Sequence, residues 1–188
     1  FRSSDGRFER PAPDVLTLGP RLGLSLTKIK DLRYGENPHQ PAAWYVQSGK
    51  TAAGLGAPSV LQGKELSYTN LLDLDAASRI VLEFSEPAAA VIKHTNPCGV
   101  ATGASAAEAY VTARDADSLA AFGGIVALNR PLDEAAAEAI ASTFIEAVIA
   151  PAVTDGARAI LGRKQNLRVL VADFESLRTP ELEVRSIL

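Results

Sequence analysis

From residue 71 onward, short unbroken apolar runs alternate with longer segments whose apolar residues recur at helical spacing. Few architectures accept that rhythm. Ala88 to Ile92 contains no polar side chain, so as a strand it must be covered on both faces. The segment before it, from about Leu71 to Phe84, places Leu74, Ala77, Val81 and Phe84 on one stripe, with Thr69 or Asn70 set to cap its first turn. Ser105-Ala-Ala-Glu108 has the spacing at which a serine and a glutamate satisfy each other's orphan backbone donors, which predicts a helix from about Ala106 to Ala116. Phe122 to Leu128 reads as the next strand, and Asp133 to Phe144 as a helix with Ala137, Ile140, Ala141 and Phe144 inward. Ala147 to Ala150 is a short strand stopped by Pro151; a helix from Asp155 to about Gly162 then leads into a strand over Arg168 to Ala172. Such alternation predicts a layered α/β fold with a largely parallel sheet and flanking helices.

The preceding part is less regular. Residues 1–20 hold Ser3-Ser4-Asp5-Gly6, Pro11, Pro13 and Pro20, the composition of an extended arm. Trp44-Tyr45-Val46 gives a short strand signal ended by Ser48-Gly49, and a glycine-rich bend follows from Gly54 to Pro58. The 188 residues, 47% of them hydrophobic and 22% charged, suffice for one substantial core. With no methionine in the chain, and apolar residues running to Leu188, the expectation is an internal or processed segment with sequence missing on both sides.

A formal charge of −3 supplies no general basic field, so neither nucleic acid nor a membrane surface is an expected partner. One cysteine, Cys98, forbids an intrachain disulfide, and with only His39 and His94 beside it there is no closed zinc set. No apolar run reaches the roughly 18 to 20 residues that span a bilayer, and Phe1 to Pro11 is too polar for a signal peptide. The expected location is the cytoplasm.

Three clusters could carry chemistry. In open α/β sheets ligands gather outside the carboxyl ends of the strands, and Lys93-His94 falls there, followed by Thr95-Asn96-Pro97-Cys98-Gly99. An imidazole moves protons near neutral pH, and an ammonium beside it can stabilise an oxyanion. Adjacent strand residues point to opposite faces, so both serve one site only if the chain bends, for which Pro97 and Gly99 are candidates. The same residues also fit a structural role, His94 capping a buried hydrogen bond and Lys93 extending to solvent. In Arg33-Tyr34-Gly35-Glu36-Asn37-Pro38-His39-Gln40, Arg33 could fork onto a phosphate or a carboxylate and Tyr34 could stack on a ring or donate its hydroxyl; the alternative is a turn bonding its own backbone. In Ala121-Phe122-Gly123-Gly124 the glycines allow a ligand close to the backbone, or else form a bulge. Taken alone, Glu146 is a solvated carboxylate, and Arg158, Arg163, Lys164 and Arg168 form a solvated basic face, the alternative being contact with an anionic partner.

Together Arg33 to Gln40, Gly63-Lys-Glu-Leu-Ser-Tyr-Thr-Asn70, Lys93 to Gly99 and Ala121 to Asn129 resemble the family of bifunctional purine-biosynthesis proteins that carry AICAR transformylase and IMP cyclohydrolase. The resemblance implies that residues 31–188 are the first half of a transformylase domain of cytidine deaminase-like fold, and residues 1–30 a connecting arm from a cyclohydrolase domain. It implies transfer of a formyl group from 10-formyltetrahydrofolate to the 5-amino group of AICAR, without zinc, in a homodimer that completes the site. His94 would be proton acceptor and nucleotide contact, Lys93 the stabiliser of the transition state, and Arg33, Tyr34, Gly123 and Glu146 further nucleotide contacts, with Arg33 on the 5′-phosphate and the family's other nucleotide residues beyond this chain. Most folate contacts would lie beyond this chain. Two other readings remain: a nucleotide-binding or assembly module without turnover, and, from the fold name alone, a zinc nucleoside deaminase.

Overall fold

A computed structural model describes residues 20–49 and 54–178. The arm expected over residues 1–20 and the strand or extended connection expected at 181–188 lie outside them, apart from Pro20. The first described element is an antiparallel ribbon of β1 (Leu26–Leu32) and β2 (Ala42–Gln47), joined through the Arg33 to Gln40 turn. There follow a 3-10 turn at Gly54–Gly56, β3 (Ser59–Gln62), α1 (Tyr68–Val81), β4 (Ala88–Lys93), β5 (Asn96–Thr102), α2 (Ala106–Ala116), α3 (Ser118–Ala121), β6 (Ile125–Leu128), α4 (Glu134–Ala141), β7 (Ala147–Ala150), α5 (Asp155–Leu161) and β8 (Arg168–Val171).

The expected layered α/β sheet is present, with six strands in the order β3-β8-β7-β6-β4-β5. Its centre, β6-β7-β8, is parallel, and antiparallel pairings attach β3, β4 and β5 at the margins. Alternate residues of the same strands feed two cores. Val91, Val126, Leu128, Val148 and Val169 pack under α2, α4 and α5. Ala90, Ile92, Ile125, Ile149 and Leu170 pack under α1, with Leu32, Leu66 and the ribbon's Trp44 closing that face. Four of the strands are therefore buried from end to end, or nearly so, as their sequences require.

Several boundaries differ from those read in the sequence, each for a local reason. Helix α1 is capped by Ser67, not Thr69 or Asn70: Ser67 Oγ accepts from Asn70 N at 3.2 Å and Asn70 Oδ1 accepts from Ser67 N at 3.1 Å. Such a reciprocal cap contributes about 1 kcal/mol. Helix α2 matches its expected span, but the Glu108 carboxylate accepts from Ala104 N, one residue before the cap. Phe122 to Gly124 precede β6 instead of forming it, because α3 ends at Ala121 and a turn follows. Helix α4 stops at Ala141, so Phe144 is not on its inner stripe and is half exposed, its ring centre 5.1 Å from that of Phe122 with the planes tilted by 43°.

Asn129 fixes the far edge of the sheet. Its Nδ2 donates to the carbonyls of Val81, Phe84 and Glu86, and its Oδ1 accepts from Ala88 N at 2.7 Å, tying the end of α1 to the start of β4.

Candidate functional site

Strand β4 ends in a two-residue hairpin. Lys93 pairs with Asn96, leaving His94 and Thr95 as the turn, with φ of 54° and 61°. Two successive left-handed residues are the signature of the hairpin turn that normally selects Asn-Gly. For L residues that conformation costs roughly 1–2 kcal/mol each, and a β-branched threonine is an outlier there. The bend is thus at His94-Thr95 itself. Pro97 and Gly99 lie within β5, the edge strand, where a missing N–H is tolerated.

The strain is held by side chains. Asp73, only 8% exposed on α1, accepts from Thr95 N at 2.6 Å and from His94 N at 3.3 Å. Asn96 Nδ2 and Thr95 Oγ1 both donate to the His94 carbonyl. The His94 side chain remains exposed, and its imidazole bonds to none of the described residues. The Lys93 ammonium donates to the Phe122 carbonyl at 2.8 Å.

The Phe122 to Gly124 segment links this hairpin to a second group of residues. Gly123 has φ 75° and donates its N–H to the Phe144 carbonyl, so its own carbonyl is the backbone group it can offer a ligand. The Gly124 carbonyl accepts from Glu146 N, and the Glu146 carbonyl accepts from Arg168 N. The Glu146 carboxylate, 42% exposed, lies 3.6 Å from Arg168 Nη1 and accepts from Asn70 Nδ2 at 3.4 Å. Asn70 and Asp73 are three residues apart, so one face of α1 touches both Glu146 and the hairpin.

Arg33 and Tyr34 reach the same place from the ribbon. Arg33 N donates to the Leu66 carbonyl, and the Tyr34 carbonyl accepts from Tyr68 N at the start of α1. The Arg33 guanidinium stands 5.3 Å from the centre of the Tyr34 ring. These residues border a cleft of about 500 Å³ that also holds Glu146, Arg168, Phe144 and Lys64. With Arg163 and Lys164 at its border, the cleft carries five cationic side chains against one carboxylate, a field that favours an anionic ligand.

The basic face read in the sequence is therefore divided. Arg163 and Lys164 border the cleft, whereas Arg168 is 5% exposed and not solvated. Its Nε and Nη2 both donate to the Glu65 carbonyl. Burial lowers its pKa, and Arg33 nearby acts in the same direction, against the raising effect of Glu146.

The sites predicted from sequence therefore share one edge of the sheet: Lys93 and His94 on the hairpin, Gly123 before β6, Glu146 before β7, Arg33 and Tyr34 above. It is the carboxyl end of β4 but the amino end of β6, β7 and β8, because β4 runs antiparallel to β6. The open-sheet rule therefore located the pair through a strand that reverses the central direction. His39 is exposed in the ribbon turn. Sequence reasoning missed Asp73, Asn70 and Arg168. A readable signal existed for the first two, since both are polar and buried on the face of α1 that Leu74, Ala77 and Val81 turn to the core. Among the described residues no group of three or more His, Cys, Asp or Glu could hold a metal ion, and no helix is long and apolar enough to cross a membrane.

Comparison with known proteins gives one family. Residues 8–188 match AICARFT/IMPCHase bienzyme. The chain is 59% identical over 155 residues to Bifunctional purine biosynthesis protein PurH of Nostoc punctiforme, covering 81% of this chain and 30% of that protein. The protein of the same name from Cyanothece sp. is 54% identical over 176 residues, 93% of this chain and 34% of the relative. That from Sorangium cellulosum is 58% identical over 151 residues, 79% and 29% respectively. The chain spans about a third of the length of these relatives. With a match over nearly all of its residues, the chain belongs to the AICARFT/IMPCHase bienzyme family.

Proposed function

We propose that this chain is the nucleotide-holding part of a formyltransferase, which moves a formyl group from 10-formyltetrahydrofolate to the 5-amino group of AICAR in purine biosynthesis. In this reading residues 31–188 are the first half of a cytidine deaminase-like transformylase domain, residues 1–30 its connecting arm, and a cytoplasmic homodimer the working unit. One observation carries the reading: a strained, exposed histidine turn with a lysine behind it shares a sheet edge with a cationic cleft.

The chemistry follows from the groups there. Arg33, planar and stacked beside Tyr34, suits the 5′-phosphate, and the buried Arg168 adds charge beneath it. The Gly123 carbonyl and Glu146 carboxylate accept from hydroxyl or amino groups of the nucleotide. The substrate amine is delocalised into its ring and carboxamide, so it is a weak nucleophile. As its nitrogen bonds to the formyl carbon, the His94 imidazole takes the amine proton. Negative charge then grows on the formyl oxygen, where the Lys93 ammonium, exchanging its Phe122 carbonyl partner, stabilises it. Breaking the bond to the folate N10 releases tetrahydrofolate as the imidazolium returns the proton to that nitrogen. Most contacts to the folate are assigned to residues beyond this chain.

A second reading fits the chain in isolation, which spans about a third of its relatives' length: it binds nucleotide or assembles without turnover. Steady-state assay of the isolated chain with both substrates separates the two, and measurable turnover excludes the second. For the complete protein, Arg33→Ala is expected to raise the nucleotide KM about 10- to 100-fold, with kcat changed far less, because the phosphate is bound alike in ground and transition states. An unchanged KM would remove Arg33 from the site.

A further inference from the structure

We infer that Asp73 is a positioning residue for formyl transfer: its buried carboxylate, bridging the backbone N–H groups of Thr95 and His94, holds the left-handed turn that aims the His94 imidazole. The inference rests on the proposed role of His94 and extends it to a residue that touches no substrate.

The geometry leaves Asp73 little else to do. It is 8% exposed among the apolar residues of α1, where an ionised carboxylate is costly unless its oxygens are bonded. Both oxygens are used: Oδ1 on Thr95 N at 2.6 Å and Oδ2 on His94 N at 3.3 Å. A carboxylate with both oxygens so engaged is poorly placed to act as a base. The turn it grips has φ of 54° at His94, uncommon for any residue but glycine, and 61° at Thr95, where a β-branched side chain is an outlier. A sequence selected only for a hairpin would carry Asn-Gly here. Histidine at the first position serves the chemistry, and the resulting strain needs an external clamp. Helix α1 is well suited to supply it, since its first turn is fixed by the Ser67-Asn70 cap and its body by the sheet. Displacing a catalytic group by about 1 Å can cost on the order of 10²-fold in rate.

In the complete protein, Asp73→Asn replaces one acceptor by a donor facing an N–H, which the turn cannot accommodate unmoved. The expected result is a fall in transferase kcat of about 10- to 100-fold, with nucleotide KM within about twofold and cyclohydrolase activity unchanged. Hydrogen exchange at the Thr95 amide should accelerate in the same variant. The deciding readout is rescue. Thr95→Gly makes the left-handed turn intrinsically favourable, so D73N/T95G should regain most of the lost kcat, which a general packing defect in α1 would not. Native kcat and Thr95 exchange in D73N, or absence of rescue in a double variant whose cyclohydrolase and Tm are normal, overturns the inference. The reading of His94 fails differently: His94→Ala would then retain transfer while D73N still accelerates Thr95 exchange.

Discussion

The Arg168 guanidinium and the Glu146 carboxylate meet at 3.6 Å on the floor of the cleft, the first almost wholly buried and the second 42% exposed. Because Glu146 is so open to solvent, the ion pair itself adds little stability. The larger contribution is the pair of bonds from Arg168 to the Glu65 carbonyl, at 3.0 and 2.9 Å. Arg168→Ala leaves that carbonyl without its donors and should destabilise the protein by about 2 kcal/mol. Urea unfolding checks it: the midpoint should fall at constant slope, and a change below about 0.5 kcal/mol would contradict the assignment.

Two glycines with positive φ should respond unequally to alanine. At Gly63, φ 104°, an added Cβ would lie 2.5 Å from both the Arg168 Cα and the Leu167 carbonyl oxygen, and backbone cannot yield. At Gly123, φ 75°, the nearest atom is in the Phe144 ring, at 3.4 Å. Gly123→Ala should therefore cost about 1 kcal/mol, the conformational term alone, and Gly63→Ala at least about 3 kcal/mol as overpacking is added. Equal losses in thermal unfolding would refute the contrast.

Asn129→Ala probes the opposite edge. It removes the side-chain acceptor of Ala88 N and the donor to three carbonyls. A loss of about 2–3 kcal/mol is expected, with no direct effect on ligand binding at the cleft. Nucleotide affinity weakened in step with stability would show that the two edges are coupled.

Tyr110 supplies a pH dependence. It is fully buried, shares a 2.8 Å bond with the Thr143 hydroxyl, and burial pushes its phenol above the ordinary value. An unfolded tyrosine titrates near pH 10. The stabilisation from a raised folded pKa is complete below that value and is lost as pH climbs through the folded one. Native protein should thus lose more stability than Tyr110→Phe between pH 8 and about 10.5. Parallel losses in urea titrations at the two pH values would exclude this group.

Much of the fold was legible because its central strands are buried on both faces. Ala88 to Ile92 and Ala147 to Ala150 had no solvent-facing alternative, and Ser105 marked α2 directly. Strand β5 was hidden because Pro97 and Gly99 argue against a strand, and His94-Thr95 lacks the usual turn residues; its edge position and the Asp73 clamp override both signals. Strand β1 was faint because of its seven residues only Leu32 is buried. Of the candidate residues, Lys93, His94, Arg33 and Tyr34 stood out in the sequence by type and order, and the structure brings them to one end of the sheet. Arg168 was not, since nothing local separates it from Arg163; partners about a hundred residues away, Gly63 and Glu65, bury it.

The most direct test of the account is His94→Ala in the complete protein, with both activities assayed on one preparation. Removing the imidazole while Asp73 still holds the turn should lower formyl transfer by at least about 10²-fold, the range for losing a general base, and leave cyclohydrolase activity as it was. Near-normal formyl transfer, with cyclohydrolase activity intact, would contradict the central role given to His94.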